Sequence, residues 1–180
     1  MISGYRSLNA LFILYSLTAA TCLYAGEGER LLEKFLTQTK TMSADFSQTL
    51  RTRDGEVLQE TSGKFYLDRP GKFRWNYVEP YEQEIVSDGE NVWIYDVELQ
   101  QVTVQKRSAT FSNTPMALME GRLNLAEVYT VSELDHRDGI YRLKLTSKNS
   151  DTDFSEIVVG VDKTGLRFMQ MHDQFEQTTD

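Results

Sequence analysis

Lys72-Phe73-Arg74-Trp75-Asn76-Tyr77 sets three aromatic side chains, Phe73, Trp75 and Tyr77, in alternation with Lys72, Arg74 and Asn76. A period of two puts the aromatics on one face of a β-strand and the polar residues on the other. Immediately upstream, Arg69-Pro70-Gly71 breaks the chain, and before the break Phe65 and Leu67 keep the same alternation. Earlier still, Ala44, Phe46 and Leu50 alternate with Asp45, Ser47 and Thr49, and Asp54-Gly55 between these two runs is a tight-hairpin signal. Downstream, a short strand at Glu84–Ser87 leads to a second tight turn, Asp88-Gly89, and then to Val92–Asp96 and Val102–Gln105. A third, Asp138-Gly139, lies between Val128–Leu134 and Tyr141–Thr146, where Leu143 and Leu145 share a face. Glu156–Asp162 and Leu166–Phe175 flank Lys163-Thr164-Gly165. A chain of hairpins predicts an antiparallel sheet. A sheet of about nine strands does not stay flat. The expected fold is therefore mainly β (α+β): a single curled antiparallel sheet forming an incomplete barrel.

Two segments have helical rather than strand character. Over Glu27–Lys40, Leu31, Leu32, Phe35 and Leu36 form one stripe, with Glu29, Arg30, Glu33 and Lys34 elsewhere, which predicts an amphipathic helix. Phe111–Leu125 reads FSNTPMALMEGRLNL. Asn113 or Thr114 can cap a short helix, Pro115 suits its first turn, Met116, Ala117, Leu118 and Met119 follow, and Gly121 ends it. So oily a helix between two strands must cover apolar surface. A fixed plug and a movable cover both satisfy that requirement. Its methionines are flexible enough to suit an interior with changing contents.

The 180 residues suit one domain, with nine Tyr, nine Phe and two Trp to build its core. A net charge of -8 argues against nucleic-acid binding and against docking on anionic lipid by charge. Met1–Ala25 carries Arg6 as its only charge, then the run ALFILYSLTAATCLY and a small residue at Ala25. This is a secretory signal pattern, too short and too broken for a membrane span, with cleavage expected after Ala25. Cys22 is the only cysteine, and Ala19-Ala20-Thr21 before it is a poor lipid-attachment match. Loss of Cys22 with the signal leaves an exported chain that owes its stability to its core rather than to disulfides.

Catalytic signals are sparse. Gly26-Glu27-Gly28 is only a fragment of a phosphate loop, and His136 and His172 lack zinc-site spacing. Asp135-His136 beside Asp138 reads as turn residues, and the acids at Glu79, Glu82 and Glu84 are too common a pattern to indicate glycosidase chemistry. No cofactor or metal is expected. The apolar material on a curled sheet fits a hydrophobic ligand cavity, and it fits an ordinary packed core equally.

The stretches MSADFSQT (Met42–Thr49), RPGKFRWNYVEPYEQEIVSDGENVWIYD (Arg69–Asp96) and SNTPMALM (Ser112–Met119) resemble the signature segments of the outer-membrane lipoprotein carrier family, LolA. The resemblance spans most of Glu27–Asp180. It implies a periplasmic chaperone, not an enzyme, acting as a monomer. Its partners would be acylated lipoproteins, the ATP-driven inner-membrane transporter that releases them, and an outer-membrane receptor that takes them over. By the same resemblance Arg69 is the arginine that holds the empty state closed. Phe73 and Trp75 match rim and cavity aromatics. Phe65, Leu67, Tyr77, Ile85 and Trp93 join them as cavity residues, and Met116, Leu118 and Met119 form the lid. Members of the family usually run further, so residues 26–180 are expected to be a C-terminally truncated carrier domain with one bare sheet edge. Two other readings stand beside this one: a lipid-anchored outer-membrane receptor of the same fold, which Cys22 alone favours, and a periplasmic hydrolase.

Overall fold

The computed structural model describes residues 26–107, 116–119, 124–149 and 154–180. The predicted signal segment, the capping positions Asn113, Thr114 and Pro115, and Gly121 lie outside the described residues.

Helix α1, Glu27–Gln38, comes first and buries Leu31, Leu32, Phe35 and Leu36, the stripe expected from its 3.6-residue period. Strands β1 (Thr41–Arg51), β2 (Val57–Asp68), β3 (Lys72–Glu79), β4 (Gln83–Asp88), β5 (Asn91–Asp96) and β6 (Gln101–Lys106) form an antiparallel meander. Two single-turn helices, α2 (Met116–Met119) and α3 (Leu125–Val128), separate it from a second meander. That one contains β7 (Tyr129–Arg137), β8 (Ile140–Ser147), β9 (Phe154–Asp162) and β10 (Gly165–Asp173). The three Asp-Gly pairs all turn the chain, with Gly55, Gly89 and Gly139 at φ of 85°, 101° and 80°.

The last strand corrects an expectation. A bare edge was expected at the chain's end, but β11 (Thr178–Thr179) pairs with β1 on one side and β10 on the other. It therefore joins the two meanders into one sheet of eleven strands, two more than counted from sequence, and the outermost strands are β6 and β7. Val128 closes α3 rather than opening a strand, and Phe175 projects from the loop after β10 at 83% exposure.

The interior divides in two. α1 packs on the second meander, against Leu143, Leu145, Ile157, Val159 and Val161. Gly28 permits this closeness, since a Cβ there would lie 2.8 Å from Tyr141 Cβ and 2.9 Å from Leu143 Cδ2. The other apolar cluster, Phe65, Leu67, Phe73 and Met116, sits on the first meander.

Candidate functional site

Strand register decides which side chains share the curled face. Leu67 pairs with Phe73, Phe65 with Trp75 and Gly63 with Tyr77, so β2 and β3 present these residues on one side. β4 adds Ser87 beside Phe73 and Ile85 beside Trp75. β1 adds Met42 beside Leu67 and Phe46 beside Gly63. The outcome is an aromatic patch. Trp75 and Tyr77 stack with centroids 5.8 Å apart and 5° between planes, while Phe46 and Phe65 meet Trp75 edge-on at 5.4 and 5.2 Å. Such offset and edge-to-face pairs are the favoured aromatic geometries. Burial pushes the Tyr77 phenol up to about 12.

Six of the seven sheet residues singled out from sequence, Phe65, Leu67, Phe73, Trp75, Tyr77 and Ile85, meet on this face. Trp93 does not. It pairs with Val86 and Val104, whereas Ile85 pairs with Ile94, so Trp93 points to the opposite side of the sheet. In antiparallel strands directly paired residues share a face, and one step along a strand reverses it. Phe46 and Met42 belong to the patch and were not singled out as site residues. Their alternation was visible in the sequence, but it did not say which face was inward.

Helix α2 lies over the patch. Met116 is buried within the Phe65, Leu67 and Phe73 cluster, and Met119 packs against it. Leu118 points into the other cluster with α1. The single turn thus bridges both halves of the interior, and its methionines fill the space above the aromatics.

Arg69 ties this arrangement together. It stands in the turn between β2 and β3, its own amide donating to Lys40 O at 2.8 Å. Its Nε donates to Met119 O at 2.8 Å, the end of α2. Its Nη1 lies within 3.0, 2.5 and 3.0 Å of the carbonyl oxygens of Phe35, Leu36 and Thr39 at the end of α1. The guanidinium also sits 5.3 Å from the centre of the Phe35 ring. α1 has no basic residue in its last turn, so Arg69 supplies from another element the cation that a helix C-terminus favours. Burial lowers the guanidinium's pKa from its usual value, yet an arginine stays charged in proteins.

Other features indicate structural roles. Asp135 lies within β7, not in a turn as expected, and Arg142 and Arg137 approach it at 3.2 and 3.7 Å. His136 stacks on Tyr141 at 3.9 Å. A groove of about 600 Å³ between α1 and α3 is lined by Arg30, Glu33, Lys34 and Asn124 together with Leu36 and Leu125. Among the described residues no group of His, Cys, Asp or Glu is arranged to hold a metal, and no helix is long and apolar enough to cross a membrane.

The sequence is similar to those of known proteins over most of its length. The family model described as outer membrane lipoprotein carrier protein LolA matches residues 37–180. A curated outer-membrane lipoprotein carrier protein from Methylococcus capsulatus is 39% identical over 148 residues, 82% of this chain and 71% of that one. Its counterpart from Dechloromonas aromatica is 37% identical over 174 residues, 93% and 83% of the two chains. The one from Nitrosospira multiformis is 36% identical over 170 residues, 94% and 81%.

Proposed function

The chain belongs to the outer-membrane lipoprotein carrier family, and on that premise we propose that it is a periplasmic chaperone that shelters the acyl chains of lipoproteins against its aromatic face. Each buried methylene is worth about 0.8 kcal/mol, so exposing one long acyl chain to water costs on the order of 10 kcal/mol. Unassisted passage through an aqueous compartment is negligible at that cost. A cavity lined by Phe65, Leu67, Phe73, Trp75, Tyr77 and Ile85 removes it. Trp93 has no part in that lining.

The observation that carries the reading is the position of Arg69, which holds the end of α2 and the end of α1 at once. α2 is the lid and Arg69 its latch. The latch is strong enough to keep the empty cavity dry, because hydrogen bonds to charged groups contribute roughly 1.5–3 kcal/mol. It is weak enough to be opened by an entering acyl chain. When the lid swings out, Met116, Leu118 and Met119 exchange their burial for that of the ligand.

The cargo comes from an ATP-driven inner-membrane transporter and passes to an outer-membrane receptor whose cavity binds it more tightly. The signal segment is removed after Ala25, and the carrier acts as a monomer without catalysing a reaction. The test uses inner-membrane vesicles carrying a labelled lipoprotein and the releasing transporter. The wild-type protein should draw the lipoprotein into a soluble complex and deliver it to the receptor. Arg69→Leu should fold normally and take up cargo but deliver it poorly. No soluble complex with the wild-type protein contradicts the carrier reading, and normal delivery by Arg69→Leu contradicts the latch.

A further inference from the structure

Trp75 is enclosed by rings: Tyr77 lies parallel to it, and Phe46 and Phe65 meet it edge-on. Its indole Nε1 is buried and, among the described residues, has no hydrogen-bond partner. The Thr61 hydroxyl on β2, on the same face as Gly63 and Phe65, is likewise buried without a partner. Indole nitrogen only donates. A donor removed from water and left unmatched is unfavourable, and most buried polar groups avoid that state. Tyr and Trp owe their place at sites with one apolar and one polar side to such a handle.

An acyl chain is not purely hydrocarbon. It ends at the carbonyl that attaches it, an ester or an amide. Apolar walls alone discriminate weakly between an acyl and an alkyl chain of equal length, whereas a site built to hydrogen-bond rejects an analogue that cannot. We propose that Trp75 Nε1 is the cavity's polar recognition point, donating to the carbonyl oxygen at the head of a bound acyl chain. The inference rests on the carrier reading and deepens it. The aromatic walls accept the chain, and Trp75 determines that the chain is an acyl one and fixes how deep its head group sits. In the empty protein the donor has no partner among the described residues, and Met116 and Met119 pack in the cluster that Trp75 joins. It is therefore satisfied once the lid has moved and the acyl head group has entered.

The experiment compares binding of dioctanoylglycerol, whose chains are esters, with dioctylglycerol, whose chains are ethers, and with N-octyl octanamide. Titrations are run on the wild-type protein and on Trp75→Phe, which keeps a ring and loses the donor. The wild type should prefer the ester or the amide to the ether by roughly three- to tenfold, the range of one neutral hydrogen bond. The carbonyl preferred identifies the linkage read. Trp75→Phe should bind the three alike. Should that variant fold poorly, the Trp75 Hε1 resonance of the wild type, told from that of Trp93 by Trp93→Phe, should move downfield with the carbonyl lipids and stay with the ether. Equal wild-type affinity for all three, or a preference surviving in Trp75→Phe, overturns the proposal and leaves the carrier reading intact. Failure of every lipid to bind overturns both.

Discussion

Glu133 and Arg69 meet opposite ends of the same helix. Glu133 Oε2, on β7, accepts from the amide of Gly28 in the first turn of α1 at 3.3 Å. Arg69, from the β2–β3 turn, donates to carbonyls of the last turn. Gly26 at the N-cap makes no side-chain cap of its own. Both charges match the helix dipole, negative at its start and positive at its end, and they come from the two different meanders. α1 is therefore a strut across a sheet in which the two-residue β11 lies between the two halves.

Removing the charge of Glu133 should loosen the start of that strut. Glu133→Gln should lower stability by about 0.3–1 kcal/mol, with the loss shrinking as salt is raised. Thermal unfolding of variant and wild type at low and high ionic strength measures this. A difference that salt does not change would mean that the carboxylate acts by shape alone.

Gly63 occupies a bulge between β2 and β3, and a Cβ there would lie 1.9 Å from Asn76 O. Gly63→Ala must push the two strands apart beneath Tyr77 and should cost about 1–3 kcal/mol or more. Unfolding in urea at unchanged m-value would register it. Wild-type stability would contradict this strand spacing.

Much of this arrangement was legible in the sequence. The α1 stripe, the Asp-Gly turns and the Phe73-Trp75-Tyr77 face each follow from a single period or a backbone preference. What could not be read was phase. Val92-Trp93-Ile94 is an unbroken apolar run, so nothing in it marks which residue turns inward, and Trp93 was placed on the wrong face. Nor do local patterns reveal β11, because two residues carry no period. The contacts of Arg69 with Phe35, Leu36 and Met119 bridge more than thirty positions; the family resemblance pointed to the lid contact alone, and nothing in the sequence pointed to those with α1.

Alkali should weaken the fold through Tyr77. Its pKa, raised by burial to about 12 from 10.0, leaves stability unaffected below the unfolded value. As pH climbs from about 10 to about 12 the unfolded chain gives up a proton that the folded one keeps, and stability falls by up to about 2–3 kcal/mol. Tyr129, also raised by burial, contributes in the same direction. Urea unfolding across this range should show a shallower decline for Tyr77→Phe, and identical slopes would contradict the buried phenol.

Charge alone does not make the latch. Arg69→Lys keeps the cation, but its single ammonium cannot reproduce a planar fork spread over four carbonyls on two helices. Its delivery of lipoprotein from vesicles to receptor should fall below wild type and exceed that of Arg69→Leu. Full activity of the lysine variant would show that attraction to the helix end suffices.

The central claim is that α2 covers the aromatic face when the cavity is empty and leaves it when lipid enters. Met116 and Met119 lie against that face, so their methyl groups feel the ring currents of the surrounding aromatics. With methionine methyls labelled with carbon-13, the empty protein should show both resonances displaced from the unfolded position. Stoichiometric dioctanoylglycerol should return them toward it, and empty Arg69→Leu should already sit part of the way. Displaced, unmoved Met116 and Met119 methyls in a fully loaded protein would contradict the account, since the helix would then be a fixed plug.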